Sequence, residues 1–256
     1  MEINGKVIAI SGGASGLGEA AARYFLQAGA AGIVAIDLDG ARGSAIEEEL
    51  GDKYLAVACN VADTDGVQAA IDAGLERFGR IDVAIAAAAI AGPAKLLSRK
   101  GPIPMDRFDQ VVKVNLYGTV NLARSAAMAM SRNEPNADGE RGVIINLASG
   151  AAYEGQVGQI AYSASKAAIV GMTLPLMREL AGHGIRVVTV APGAFDTPMY
   201  EQAPPEVKEG IVAASLFPKR MGKASEFASF AEEIVRNPMH NGRTYRFDAG
   251  LMLPVS

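Results

Sequence analysis

The chain has 256 residues, 50% of them hydrophobic and 20% charged. That balance excludes a disordered chain, and the length suits one α/β domain. The net charge of -4, without any basic block, argues against a nucleic-acid partner.

In chain order, the apolar runs Val7–Ile10, Ile33–Ile36, Tyr54–Ala58, Val83–Ala87, Val143–Leu147, Ile185–Val190 and Thr244–Phe247 have the length of strands. Most are continuous rather than alternating, as in strands buried on both faces. Between them, Gly18–Gln27, Ala41–Leu50, Thr64–Phe78, Met105–Met130, Tyr162–Leu180 and Ala224–Arg236 carry helical periodicity and good helix formers. This alternation predicts right-handed crossovers. The expected fold is a single-domain, Rossmann-type, doubly wound parallel sheet of seven strands with helices on both faces, spanning 1–256. Pro93–Pro104 reads as a loop with a small basic cluster, Lys95, Arg99 and Lys100. Pro198–Pro218 is Pro-interrupted and amphipathic. It fits either a substrate lid at about 198–218 or an ordinary surface helix pair.

The first strand runs into Ser11-Gly12-Gly13-Ala14-Ser15-Gly16-Leu17-Gly18. Here Gly12 permits a tight turn, Gly16 lets backbone approach a pyrophosphate, and Gly18 allows close helix–strand packing. The following helix N-terminus offers free N–H groups to phosphates. Ser11, Gly12, Ser15, Gly16, Leu17 and Gly18 are therefore candidate cofactor contacts. Asp37 ends the second strand, where a carboxylate can accept hydrogen bonds from ribose hydroxyls and would repel a 2′-phosphate. The alternative for Asp37 is a turn residue preceding Asp39-Gly40. No Arg or Lys occupies Asp37–Ala41, and Arg42 reads as a solvated helix residue. Together these features point to NAD.

Tyr162-Ser163-Ala164-Ser165-Lys166 places Tyr162 and Lys166 on one helical face. An ammonium near a phenol favours phenolate and brings its pKa toward the working range. Lys166 can also reach a ribose hydroxyl. Ser149 follows the strand Val143–Leu147, and its hydroxyl can bond a substrate oxygen on which charge develops. Alone, such a serine is an ordinary cap and Tyr-x-x-x-Lys an ordinary helical spacing.

In combination, these motifs resemble the short-chain dehydrogenase/reductase superfamily over nearly the whole chain. Asn115-Leu116-Tyr117-Gly118 is similar to its N-x-x-G segment, and Pro192-Gly193-Ala194-Phe195-Asp196-Thr197 to its P-G-x-x-x-T loop. The resemblance implies that Asn115 holds a helix kink and a water feeding protons to Lys166. It implies nicotinamide contacts from Pro192, Gly193, Phe195 and Thr197, with Asn60 and Val61 beside the adenine and Ala88 along the cofactor. Asn133-Glu134-Pro135, Arg141–Asn146, Glu154–Gln159 and Gly171–Pro175 look like the type II 3-hydroxyacyl-CoA dehydrogenases, also described as type 10 17β-hydroxysteroid dehydrogenases. A short 3-hydroxyacyl-CoA substrate and a homotetramer follow as expectations. On that view Lys95, Arg99 and Lys100 meet coenzyme A phosphates, or else are a solvated loop. A secondary-alcohol or hydroxysteroid dehydrogenase, a 3-oxoacyl-carrier reductase and a non-catalytic nucleotide-binding protein are the alternatives. One departure is plain: Ala86-Ala87-Ala88-Ala89 stands where the superfamily has N-N-A-G or N-C-A-G. Loss of that Asn and Gly is expected to weaken cofactor affinity without abolishing it.

His183 and His240 lack metal-ligand spacing, so no metal is expected. The lone Cys59 excludes an intrachain disulfide. No continuous apolar run approaches the roughly 18 residues of a membrane span. The first strand pattern starts too early to leave room for a targeting peptide. The expectation is a soluble cytoplasmic protein acting on a small molecule, with neither membrane nor nucleic-acid partner.

Overall fold

The computed structural model describes residues 1–201 and 204–253. Its strands are β1 (Val7–Ser11), β2 (Gly32–Asp37), β3 (Tyr54–Ala58), β4 (Val83–Ala86), β5 (Leu97–Ser98), β6 (Gly101–Pro102), β7 (Gly142–Leu147), β8 (Ile185–Pro192), β9 (Phe195–Asp196), β10 (Gly222–Lys223) and β11 (Thr244–Phe247). Seven of them form one parallel sheet in the order β11-β8-β7-β4-β1-β2-β3. The helices are α1 (Gly16–Gln27), α2 (Gly40–Leu50), α3 (Thr64–Phe78), α4 (Met105–Val112), α5 (Gly118–Met130), α6 (Ile160–Leu180), α7 (Pro198–Glu201), α8 (Pro205–Ala214) and α9 (Ala224–Arg236).

Side chains alternate across each strand, and both faces are apolar, so two separate cores form. On one face Ile8, Ile10, Ile33, Ile85, Ile145 and Val188 pack with Phe25 of α1 and Phe227 of α9. On the other, Val7, Ala9, Val34, Ala84, Ile144 and Val187 pack with Ile71 of α3 and Leu122 and Ala126 of α5. The chain runs outward from β1 to β3, then crosses back to place β4 on the other side of β1. Loops leaving β1 and β4 therefore diverge at their carboxyl ends, which opens a crevice there.

Three expectations need amendment. Met105–Met130 is not one regular helix, because a π-helical turn, Lys113–Tyr117, separates α4 from α5. The Pro93–Pro104 loop folds into the antiparallel hairpin β5–β6. By length and composition Ile160–His183 would suffice to cross a membrane, with mean hydropathy 1.2. It passes because its charges are few, although Lys166 interrupts it. In the fold α6 packs against β8, the 3-10 turn Gly150–Ala152 and α4.

Candidate active site

The crevice is a cleft of about 920 Å³. Every cofactor or catalytic residue expected from the sequence lines it except Ser11 and Asn115. Those two lie behind its wall. Ser11 is buried and its Oγ accepts from the Ala88 N–H at 3.3 Å, while its carbonyl accepts from Ala87 N at 3.1 Å. It thus pins the alanine run that forms one side of the cleft.

The glycine-rich turn is set by sterics. Gly12 has φ +68, and a Cβ there would lie 2.9 Å from Ala88 N. On Gly18 a Cβ would lie 2.1 Å from the Gly12 carbonyl oxygen. Neither position admits a side chain. Ser15 caps α1 with extended backbone and no side-chain cap hydrogen bond, so the first N–H groups of α1 face the cleft. Such a cradle fits a pyrophosphate. Asp37 lies at the end of the cleft beside β2 with Leu38, Cys59, Asn60, Val61 and Ala62. Its Oδ2 accepts from Ala14 N at 3.0 Å and its Oδ1 from Asp39 N at 3.1 Å. Arg42, read as solvated, instead reaches back to the turn: Nε donates to the Ala14 carbonyl at 2.5 Å and Nη2 to Glu19 at 2.8 Å.

At the other end, Ser149, Tyr162 and Lys166 converge. Ser149 ends the loop after β7 and caps the turn Gly150–Ala152, accepting from Ala151 N at 3.1 Å. Its cap role does not exhaust it, since its side chain also hydrogen-bonds Tyr162. Lys166 is buried, with Nζ donating to the Leu147 carbonyl at 2.7 Å and standing 5.7 Å from the Tyr162 ring centre. Burial pushes the Tyr162 phenol up to about 12; the Ser149 bond opposes this and neighbouring Tyr200 adds to it. The Lys166 amine falls to about 7 through burial. Desolvation of both groups thus outweighs the phenol-lowering effect expected of Lys166.

Asn115 is fully buried within the π-turn. Its amide exchanges two bonds with Ile90, accepting from Ile90 N at 2.9 Å and donating to Ile90 O at 3.0 Å, and it donates to Ser165 Oγ at 3.1 Å. Ser165 Oγ in turn donates to the Tyr162 carbonyl at 2.7 Å. Asn115 therefore joins the cleft wall to the turn carrying Tyr162. Thr119 Oγ1 donates to the Asn115 carbonyl at 2.7 Å.

Pro192, Gly193, Phe195 and Thr197 form the wall opposite the turn; Thr197 Oγ1 donates to Phe195 O at 3.3 Å. Met199 and Tyr200 of α7 also line the cleft. The rest of the expected lid behaves differently. Ile211 packs inward with Ala194 and Leu251, whereas Leu216 and Phe217 are 73% and 84% exposed and face away from the cleft lining. Residues 202–203 of that segment lie outside the described residues. Arg99 and Lys100 are exposed at the turn of the β5–β6 hairpin, Lys95 is exposed just before it, and none lines the cleft. Besides Lys166, the basic residue among the described residues that does is Lys113, beside Asp106, Asp109 and Gln110. No sequence pattern marked Lys113, since its orientation follows from the π-turn. Leu38 did carry a signal: a large apolar side chain directly after Asp37, 76% exposed.

A glycine cradle, a carboxylate after β2 and a Ser–Tyr–Lys cluster on one doubly wound sheet define a nucleotide-dependent oxidoreductase. Residues 6–208 match the short chain dehydrogenase family, and the chain belongs to it. It is 43% identical over 255 residues to the 3-hydroxyacyl-CoA dehydrogenase type-2 of Drosophila melanogaster, covering 98% of this chain and 100% of that one. The crystal structure of a 3-hydroxyacyl-CoA dehydrogenase type-2 from Mycobacterium avium is similar at 38% identity and a TM-score of 0.93, covering 98% of each chain. A 3-ketoacyl-(acyl-carrier-protein) reductase from Brucella melitensis, complexed with NADH, is 29% identical with a TM-score of 0.83 over 98% of this chain and 100% of that one. The protein is thus an oxidoreductase acting on CH–OH groups with a nicotinamide cofactor.

Proposed function

We propose that the protein is an NAD-dependent dehydrogenase interconverting short 3-hydroxyacyl-CoA esters and their 3-oxo counterparts. The observation that carries the chemistry is the meeting of Ser149, Tyr162 and Lys166 at one end of a cleft whose other end is a phosphate cradle with Asp37. The substrate class is supported by the names of the relatives in Drosophila and Mycobacterium and by their near-complete overlap with this chain. Asp37 supports NAD, because a carboxylate repels a 2′-phosphate.

Gly12–Gly18 would hold the pyrophosphate, Asp37 the adenosine ribose, and Pro192–Thr197 the nicotinamide. The nicotinamide supplies the site that gives or accepts hydride. Tyr162 donates its phenolic proton to the substrate oxygen during reduction and takes the hydroxyl proton during oxidation. With its pKa pushed up to about 12, the phenol is protonated at neutral pH and ready to donate. Ser149 bonds the same oxygen and orients it. Lys166, brought to about 7, can hold or release a proton beside Tyr162 at little cost. Asn115 positions the pair through Ser165.

Tyr162→Phe tests the assignment: turnover should fall by at least ~10²-fold, the scale of general acid–base catalysis, while NADH still binds. Near-normal turnover would remove Tyr162 from the chemistry. For the substrate, kcat/KM is compared among 3-hydroxybutyryl-CoA, a hydroxysteroid and a simple secondary alcohol. The CoA ester should be preferred, and preference for either other compound would overturn the substrate class. Replacing Lys95, Arg99 and Lys100 by Ala should leave that preference unchanged, because they lie off the cleft lining.

We further propose a cytoplasmic homotetramer. The acidic composition and single cysteine support the compartment. Assembly is supported by α6, since only 28% of an 18-residue apolar window within Ile160–His183 is buried within the chain's own fold.

A further inference from the structure

Three parts of the cleft wall meet, behind its lining, on the short segment 247–253 at the end of β11. At the 192–197 wall, Gly193 N donates to the Phe247 carbonyl at 3.0 Å, and Phe195 stacks on Phe247 with ring centres 5.8 Å apart. A Cβ on Gly193 would lie 2.7 Å from the Asp248 Cβ, so wall and segment are in direct contact. At the turn after Ser149, a Cβ on Gly150 would lie 4.0 Å from Leu253 Cδ1. At α7 and α8, buried Leu251 packs with Ile211, and Tyr200, which lines the cleft, packs against them. One ion-pair network fixes the segment. Arg246 pairs with Glu154 through Nη1 and with Asp248 through Nε at 2.6 Å, and its Nη2 donates to the Leu251 carbonyl at 3.0 Å. Glu154 takes the Leu253 N–H at 3.1 Å, and its own N–H donates to the Gly150 carbonyl at 3.0 Å. The turn they enclose is strained: Ala249 has φ +54, in the left-handed region that disfavours a Cβ.

We propose that Glu154 and Arg246 are positioning residues for the reaction: their ion pair straps α7 and α8 to the turn that follows Ser149, so that this end of the cleft moves as one unit. Neither residue lines the cleft. They act through Gly150, Gly193 and Tyr200. This rests on the assignment of Ser149 and Tyr162 to the substrate end. A brace of this kind matters because small misplacements that originate far from the chemistry cost large factors in rate. The network is partly buried, with Asp248 and Glu154 side chains 10% and 24% exposed, so salt screens it less than an isolated surface pair.

Hydrogen exchange reads the coupling without turnover. In Arg246→Met, amides of α8 and of the turn Gly150–Ala152 should exchange faster together, while β1 and α1 keep wild-type rates. Faster exchange beside residue 246 alone, with α8 unchanged, would overturn the strap. Kinetics use whichever compound of the substrate panel is turned over best. For it, kcat/KM should fall by ~10–10²-fold, the scale of a small remote misplacement, while ADP, which needs only the phosphate cradle, binds within about twofold of wild type. Glu154→Ala should behave alike, and the double variant should lose no more than the worse single one, since both act through one joint. Additive losses would mean two separate structural defects and would overturn it. Arg246→Lys keeps the charge but not the planar fork, and should fall between Arg246→Met and wild type. Leu251→Ala serves if Arg246→Met does not fold: it leaves the ion pair in place and should loosen α8 and lower kcat/KM together. Unchanged kcat/KM in Leu251→Ala would overturn the strap. If Tyr162→Phe keeps its turnover, the chemical assignment falls, and the exchange measurement still decides the strap.

Discussion

Lys166 shows how burial, rather than pairing, sets the chemistry of a side chain. It gives up its hydration for a single carbonyl partner, Leu147, and its pKa falls from the ordinary 10.5 to about 7. The consequence for stability has a definite sign. Between about pH 7 and 10.5 the unfolded chain holds a proton on this amine that the native protein has shed. Stability therefore rises with pH across that window, and below about 7 the native state carries the full cost of a buried charge. Lys166→Met removes this dependence. The melting temperature of the variant relative to wild type should be highest near pH 6 and should decline by pH 9. A difference independent of pH would mean that Lys166 stays charged throughout. The spacing of Tyr162 and Lys166 made their partnership legible in the sequence. Their pKa values were not, because desolvation depends on β7 and the Ser149 loop closing over them from a distant part of the chain.

At the level of strands, the alanine run has a consequence that local sequence could not disclose. Ala86 stands in register with Asn146 on β7. Asn146 is fully buried, and neither its amide oxygen nor its nitrogen has a hydrogen-bond partner among the described residues. A buried orphan of this kind costs ~1–3 kcal/mol. Ala86→Asn would set a second amide beside it and should raise the melting temperature by a few degrees, about 2–4 °C per kcal/mol for a protein of this size. The gain should vanish in an Asn146→Ala background, which a double-mutant cycle measures. An equal gain in both backgrounds would place the benefit elsewhere. The sequence departure at Ala86 was visible from the motif, but its partner lies 60 residues later and only strand register brings the two together. The strands themselves were readable because apolar runs buried on both faces leave a continuous signature. The π-turn was not, since its i→i+5 bonding leaves residues with ordinary helical propensity.

For the whole molecule, the sheet and its two helical layers satisfy the apolar strands but not all of α5 and α6. Val120 and Met128 on α5 and Leu174 on α6 remain exposed, at 41%, 57% and 42%. A helix as apolar as α6 with so much open surface is suited to burial against another copy. Light scattering at micromolar concentration should give the mass of a tetramer, and Leu174→Glu should shift it toward smaller species. A wild-type monomer would refute the assembly. The placement of elements around the cleft was largely legible from their alternation: β1, β2 and α1 border one end of it, while β7 and α6 border the other. The faces presented to neighbouring chains were much less so, because α6 has apolar residues nearly all round and no single stripe identifies its inner side.

The π-turn also makes one codon matter more than its neighbours. Successive residues in an α-helix point about 100° apart, and the wide turn at Lys113–Tyr117 absorbs one residue beyond regular winding. An in-frame deletion of Val114 would restore regular helix there and swing α4 by about that angle relative to α5. The packing of α5 on the sheet would survive, whereas Asp106, Asp109, Gln110 and Lys113 would leave the cleft. The insertion or loss of a single amino acid at this point is thus a route to exchanging that part of the cleft wall wholesale while the scaffold is inherited intact.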